Sequence, residues 1–563
     1  MKIRRFQKII FVLVAVCIFV FSSANAKADT LGDSKSFYVE SDFDANDRSS
    51  VTAVLVKDSS RAYFYVDTKF WNFAPQNELS AYLDVLGSEF DNKIYPTLIN
   101  TFGSEWSPGI DNDRKITVLF HPMIDSASGY FRSNDEYPKI QITNSNEREM
   151  VYVDSKYINS DFGKVFLAHE FTHLITFNQK NKAFGMEEET WLNEARAEYA
   201  PNLLGYNDVY FGSYLEERVQ SFLEKPSGSL TDWRNVKEDY GRINLFVYYV
   251  ADHYGVQILT DSLHTNSTGI GSVNYALKKN GFKEDFSQIF SNWTLAVLVN
   301  DCSYGNKYCY LDKNLRNFNV LPQVNFLPIS GESTLTFADN TKYWSGNWYK
   351  IIGGGVGTLK FHFEGDNTVP FKVLYLTKNA SGRYSFGTMV LDENQNGNLN
   401  IDNFGSSATS FFVIPILQDG NESSGNNLHS FFWSASVARQ PNDSLEIQRL
   451  EAIIADLKQK IEVILGHTGG GSQGCSAFNN NLYFGLSASG EVKCLQEFLK
   501  NRGLEIYPEG LVTGYFGSLT KTAVIRFQQK YASEILNPLG LYYGTGYVGE
   551  STRAKINQIL ANE

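Results

Sequence analysis

The chain has 563 residues, which at about 100 to 200 residues per domain predicts several domains rather than one. Hydrophobic residues make up 43% and charged residues 20%, a balance that excludes a disordered chain. Lys and Arg number 50 against 62 Asp and Glu, so the net charge of -12 excludes the basic footprint of a nucleic-acid binder, while 41 Phe and 32 Tyr against 5 Met favour β-rich exported domains.

Lys2, Arg4, Arg5 and Lys8 precede an apolar run from Ile9 to Phe21, and Ala24-Asn25-Ala26 follows. This is the layout of a secretory signal peptide, residues 1–26, with cleavage expected after Ala26. The run is shorter than the roughly 20 residues that span hydrocarbon. A lipid anchor at Cys17 is the alternative, and VAVC fits the usual lipoprotein box poorly. Residues 27–49 read as a linker. Removing the signal leaves Cys302, Cys309, Cys475 and Cys494, whose spacing predicts the local pairs Cys302–Cys309 and Cys475–Cys494 in an oxidising compartment.

Residues 50–315 mix short β-like runs (VTAVLV, RAYFYVD, KITVLF, EMVYVD) with long helical patterns at 78–102 and 161–180, which predicts one α+β domain. Residues 316–440 change to evenly spaced strands bounded by Gly, Asn and Asp, the pattern of an all-β sandwich. Within it DENQNGN resembles the first half of a calcium loop. Position twelve would be Asn403 rather than Glu, so an Asn/Gly turn is the expectation. In 441–465, Ile447, Leu450, Ile454, Leu457, Ile461 and Ile464 take the three-and-four steps of a short coiled-coil helix, equally readable as an amphipathic spacer. The Gly-rich stretch 466–474 is a linker to a last domain, 475–563.

The chemistry concentrates in His169-Glu170-Phe171-Thr172-His173. Residues four apart share a helix face, so His169 and His173 can direct imidazole nitrogens at one zinc ion, with Glu170 placed to act on a water as general base. Zinc needs a third protein ligand, and TWLNEARAEYA supplies Glu194. Glu198, one turn on, can orient a ligating imidazole. Glu187, Glu188 and Glu189 read instead as a solvated acidic face.

With HEFTH and WLNE together, residues 50–300 resemble the gluzincin metallopeptidases, and within them hyicolysin-type secreted peptidases. The resemblance extends through PGIDNDRKITVLF, SGYF, SNEREMVYVD and YGRINLFVYYVADHYG. It implies a zincin-like fold for 50–315, with His169, His173 and Glu194 on zinc, Glu170 as general base, Glu198 behind the ligands, and an edge strand near Met150 to Val153 that holds the substrate backbone. Tyr240 is similar to a Tyr that stabilises the oxyanion in related aminopeptidases, though in a chain with 32 Tyr a packing role stands beside that one. His253 is the runner-up for that role, against a structural reading as a hydrogen-bonded core His.

In the last domain, TGYFGSLTKTAV at 513–524 recurs as TGYVGESTRAKI at 545–556, each read as a Gly turn, an aromatic plug and a Thr-capped helix start. With SGEVKCLQEFLKNRG and IRFQQKYA, this unit resembles peptidoglycan-binding domains, small helical modules of wall-associated enzymes. The expectation for the whole chain is a secreted, cell-wall-associated zinc endopeptidase that cuts polypeptides and holds peptidoglycan through its last domain. Neither nucleic acid nor, after signal cleavage, membrane is an expected partner. Two other readings stand beside it: a peptidase of peptidoglycan cross-links, and a non-catalytic wall-bound adhesin or scaffold on a peptidase fold.

Overall fold

The computed structural model describes residues 28–328, 334–418, 427–439, 477–486, 490–508, 510–539, 541 and 544–562. The expected signal peptide, the 441–465 helix, the 466–474 linker and Cys475 lie outside these residues. The chain forms two compact units, 1–443 and 444–563. Both are built of helices and, in the first, large β-sheets. Among the described residues no helix is long and apolar enough to cross a membrane.

The first unit opens with a six-stranded sheet in the order β1-β2-β3-β4-β6-β5, where β1 is Ser34–Tyr38, β2 Ser50–Asp58, β3 Ala62–Asp67, β4 Ile116–His121, β5 Gly129–Phe131 and β6 Met150–Asp154. The stretch read as a linker therefore contributes β1, which pairs antiparallel with β2. Its polar residues hid an edge strand with only Phe37 fully buried. The central strands β3, β4 and β6 are parallel and buried along their whole length. This is why each reads as an unbroken apolar run. Alternate side chains go to opposite faces. Phe64, Val118, Phe120, Val151 and Val153 join the helical core, and Tyr63, Tyr65, Leu119 and Tyr152 join a smaller cluster behind the sheet.

The helix Asp161–Thr176 packs on β5 and β6 and carries the HEFTH pentad. Ser160 caps it, its side chain accepting a hydrogen bond from the Phe162 amide at 3.2 Å. From Val165 to Thr176 every residue is buried, so the helix is apolar nearly all round, as an interior helix must be. Phe171 locks its roll between Phe90 and Tyr95, with ring centroids 5.2 and 5.5 Å away. Truncating such a side chain costs about 3–5 kcal/mol.

Among the described residues, nine further strands are joined into one sheet that folds into two facing layers. One layer holds β7 (Gln323–Leu327), β9 (Tyr349–Gly353), β14 (Ala408–Leu417), β11 (Phe371–Asn379) and β12 (Tyr384–Thr388). The other holds β8 (Thr334–Thr341), β15 (His429–Arg439), β10 (Gly357–Gly365) and β13 (Asn396–Phe404), and they meet where Phe404 pairs with Ala408. Phe361 of one layer lies 5.0 Å from Phe411 of the other, and Tyr349 lies 5.9 Å from Trp433. Strands β7, β8 and β13 carry weak strand signals, because their exposed faces are rich in Asn, Thr and Gln. DENQNGN is a turn: Asp392 Oδ1 accepts the amides of Asn394 and Asn396, both at 2.9 Å. The layers share one core with the α/β part, for Trp344 packs on Phe286 and Phe290 at 4.8 and 5.5 Å. Cys302 and Cys309 are disulfide-bonded. Cys494 is disulfide-bonded as well, and its expected partner is outside the described residues.

The second unit holds the helices Gly490–Asn501, Ser518–Lys530 and Glu550–Leu560 around its own core of Leu495, Phe498, Phe516, Phe527 and Val548. The two echoes superpose in chemistry. Gln496 Oε1 accepts the Thr513 and Gly514 amides, both at 2.8 Å, and its Nε2 donates to Tyr515 O and Thr520 Oγ1, both at 2.9 Å. Thirty-two positions on, Gln528 accepts the Gly546 amide and donates to Tyr547 O and Thr552 Oγ1, at 2.9, 2.8 and 3.0 Å. The expected Thr caps are not formed. Gly517 and Gly549 occupy the cap positions with no side-chain bond, and each Thr hydroxyl faces a Gln instead. The second plug is Val548 rather than an aromatic.

Candidate metal centre

Two helices supply the ligand set. His169 and His173 project from one face of Asp161–Thr176, with ring centroids 4.9 Å apart. The helix Thr190–Leu203 packs against it and brings in Glu194. Glu194 Oε2 lies 3.2 Å from His169 Nε2 and 3.5 Å from His173 Nε2. One ligand atom of each of the three residues falls within 4.8 Å of the others, and among the described residues this is the one such group of metal-ligating side chains. The donor set fits zinc: two ligands each about 2 Å from a tetrahedral ion stand roughly 3.3 Å apart.

The electrostatics follow from this convergence. Burial works against the ionised form of Glu194, but His173 and then His169 outweigh it and hold the carboxyl below its ordinary range. Burial likewise opposes the charged His173, and Glu194 raises it to about 9. Glu170 is 5% exposed beside the trio, and burial lifts its carboxyl to about 7 against the pull of His169 and His173. The helix also presses Glu170 against β5. A Cβ built on Gly129 would stand 2.8 Å from Glu170 Oε1 and 2.8 Å from Tyr152 O, so a side chain there meets both. This corrects the strand assignment. The edge of the sheet is Gly129–Phe131, while Met150–Asp154 is an interior strand paired on both sides.

Glu198 lies one turn behind Glu194 and is fully buried. Its Oε1 is 3.6 Å from His169 Nδ1, beyond hydrogen-bond range, and that nitrogen has no partner. What holds Glu198 is a clamp the sequence reading missed. Arg218 donates Nε and Nη2 to it at 2.8 Å each, Tyr214 donates its hydroxyl at 2.6 Å, and Asn244 Nδ2 donates at 3.1 Å. Tyr214 and Arg218 sit four apart on the helix Tyr214–Glu224. That spacing in SYLEERV was the available signal, but nothing local names a carboxylate 20 residues upstream.

Tyr240 is half-buried in the first turn of the helix Lys237–Tyr254. Its hydroxyl donates to Asn235 Oδ1 at 2.8 Å, and the Arg218 guanidinium lies 4.9 Å from its ring centre. Burial, then the charges of Glu194 and Glu198, raise its phenol far above the ordinary range. His253 is elsewhere: its Nε2 donates to Cys309 O at 3.0 Å, the structural arrangement. The acidic run is not a solvated face throughout. Glu188 is buried, pairs with Arg196 at 2.9 Å and accepts the Gly269 amide at 2.8 Å, while Glu187 stays exposed.

Fold and site together define a mixed α/β chain with a His-His-Glu centre and a separate small helical unit. Residues 488–556 of that unit match the PG_binding_1 family model, a peptidoglycan binding domain. No curated protein matches the chain. Solved structures with local similarity include the pre-peptidase C-terminal domain of collagenase from Bacillus anthracis, 10% identical with a TM-score of 0.15, covering 21% of this chain and 98% of that one. Aeromonas hydrophila PliG, a periplasmic inhibitor of g-type lysozyme, is also 10% identical with a TM-score of 0.15, covering 21% and 100%. A family GH115 4-O-methyl-α-glucuronidase is 8% identical with a TM-score of 0.13, covering 60% and 53%.

Proposed function

We propose that the chain is a secreted, wall-associated zinc endopeptidase with a zincin-like catalytic domain that hydrolyses peptide bonds of proteins. The observation that carries this reading is the convergence of His169 Nε2, His173 Nε2 and Glu194 Oε2 within 4.8 Å, next to the buried carboxylate of Glu170. His169, His173 and Glu194 would hold the ion, and bound zinc supplies the Lewis acidity of metal-assisted hydrolysis. Glu170 takes a proton from the attacking water and returns it to the leaving amine. Edge strand β5, whose Gly129 lies against Glu170, offers an unpaired backbone edge along which an extended polypeptide can lie. Tyr240, whose hydroxyl now donates to Asn235 Oδ1, would turn from it to donate toward the developing oxyanion. Glu198, clamped by Arg218, stands behind His169.

The C-terminal unit binds peptidoglycan in this reading, with support from the family match over 488–556. Tyr515 and Tyr547 leave the duplicated turns 47% and 43% exposed, rings on which sugars can stack. The same match favours a second reading in which the substrate is a peptidoglycan cross-link. Digestion of casein and of purified sacculi in parallel, with and without a chelator, separates the readings. Chelator-sensitive release of peptides from casein alone supports the endopeptidase. Release of wall peptides alone supports the second reading. No hydrolysis of either by zinc-loaded protein supports a non-catalytic adhesin.

A further inference from the structure

The second unit repeats more than its two matching turns. A step of 32 residues back from Tyr515-Phe516-Gly517 reaches Tyr483-Phe484-Gly485, and the same step forward reaches Tyr547-Val548-Gly549. Gln496 and Gln528 keep that spacing, and each accepts an amide of the turn that follows it, Gly514 at 2.8 Å and Gly546 at 2.9 Å. The turn at Tyr483 therefore opens a further copy of the repeat. It lies outside the residues 488–556 that the family model matches.

Backbone hydrogen bonds gather the three turns. Leu482 and Val548 exchange bonds at 3.3 and 2.8 Å, and Phe516 is bonded to both Gly485 and Leu486 at 2.9 Å. Leu482, Phe516 and Val548 point into the core of the unit. Next to each of these buried side chains stands a tyrosine that is not buried. Tyr483, Tyr515 and Tyr547 are 49%, 47% and 43% exposed, and Phe484 is 55% exposed. Large aromatic side chains left open around one set of joined turns mark a contact surface.

The rings are held in place. Tyr483 stacks on Tyr547, with centroids 6.2 Å apart and planes 18° apart. Tyr515 and Tyr547 each lie over the glycine two positions on, for a Cβ built on Gly517 would stand 3.3 Å from the Tyr515 ring and one on Gly549 would stand 3.1 Å from the Tyr547 ring. A phenol combines an apolar face with a polar tip, which suits the C–H face and hydroxyl rim of a sugar ring. None of the four side chains is charged, whereas the stem peptides of peptidoglycan carry free carboxylates that call for Arg or Lys.

We propose that Tyr483, Tyr515 and Tyr547, with Phe484 beside them, form one aromatic platform that takes the glycan strand of peptidoglycan, its N-acetylated sugar rings lying against the tyrosine faces. The platform rests on the reading of the second unit as a peptidoglycan binder and assigns the part of that polymer it holds.

The test is cosedimentation of the full chain carrying Glu170→Gln, which removes the proposed hydrolysis, with purified sacculi and with glycan strands freed of their stem peptides. The platform predicts binding to both. Tyr483→Ala, Tyr515→Ala and Tyr547→Ala should each weaken it about five-fold or more, and the triple Ala variant should abolish it. The triple Phe variant should retain most of it, and the melting midpoint of the second unit should hold throughout, because the rings are surface groups. Saturating glycan strands should also protect the three tyrosines from iodination in the chain that keeps them, read by mass spectrometry. Undiminished sedimentation of the triple Ala variant, or tyrosines iodinated equally fast with and without glycan, would overturn the platform and leave the peptidoglycan reading standing. Binding to sacculi but not to stripped strands would move the contact to the stem peptides and overturn it as well. If the chain sediments with neither, the peptidoglycan reading fails and the platform fails with it.

Discussion

Arg218 grips Glu198 with two nitrogens at 2.8 Å in the first unit, whereas the buried hubs of the second are Gln496 and Gln528, neutral amides that satisfy backbone and Thr partners. The contrast runs through both units. The first buries ionisable side chains, among them Asp44, Glu188, Arg196, Glu198 and Arg242. The buried polar residues described in the second are Gln496, Thr520, Gln528 and Thr552, all uncharged. The site proposed to handle protons and a cation would need charges in a low dielectric, where they act strongly and their loss is costly. A module that presents a surface needs only satisfied hydrogen bonds, and the same amide latch can serve twice.

The largest effect expected from this contrast is on turnover. Glu170→Gln should lower kcat/KM on casein by about 10²- to 10⁴-fold, with zinc content and melting midpoint held. Undiminished turnover would remove the reason for burying a carboxylate beside the trio. Next, Arg218→Met removes the Arg partner of buried Glu198 and should destabilise the first unit by about 3–5 kcal/mol in denaturant melts. If the loss matched that of a neutral latch, the division between charged and neutral hubs would fail. Gln496→Ala and Gln528→Ala test the other side, each costing the second unit about 1–3 kcal/mol through stranded amides. Equal losses would show that the duplicated turns are energetically equivalent as well as geometrically so.

Acid should give the smallest effect. Burial opposes the charged forms of Asp29 and Asp44, yet their Arg partners, Arg148 and Arg48, bring both carboxyls to about 2, below the ordinary 3.8. Groups depressed in the folded state stabilise it fully above pH 4 and lose that contribution as pH falls toward 2. Scanning calorimetry from pH 4 to pH 2 should show the first unit's midpoint falling faster than that of the second, whose described residues bury no carboxylate. Parallel falls would contradict this.

Much of the molecule was legible in advance where local periodicity and burial agree. The parallel strands β3, β4 and β6 are buried on both faces and read as continuous apolar runs, and the helix bearing HEFTH spans Asp161–Thr176 inside the expected 161–180. Strands β1, β7, β8 and β13 are poorly legible in the sequence because solvent-facing edges accept polar residues that also make loops. The sequence reads the Thr hydroxyls of the duplicated turns as caps of their own helices, since a local cap is visible in one dimension and a bond to a Gln 24 residues upstream is not.

The pentad His169 to His173 and its helical setting were decided by the chain alone, because residues four apart share a face of any α-helix. Tertiary structure decided the rest of the site. It brought Glu194 within 3.2 Å of His169, set Gly129 of an edge strand against Glu170, and closed Arg218 and Tyr214 on Glu198. Each of these contacts joins segments 16 or more residues apart, and only the packing of helices and sheet determines which distant charges share one dielectric interior.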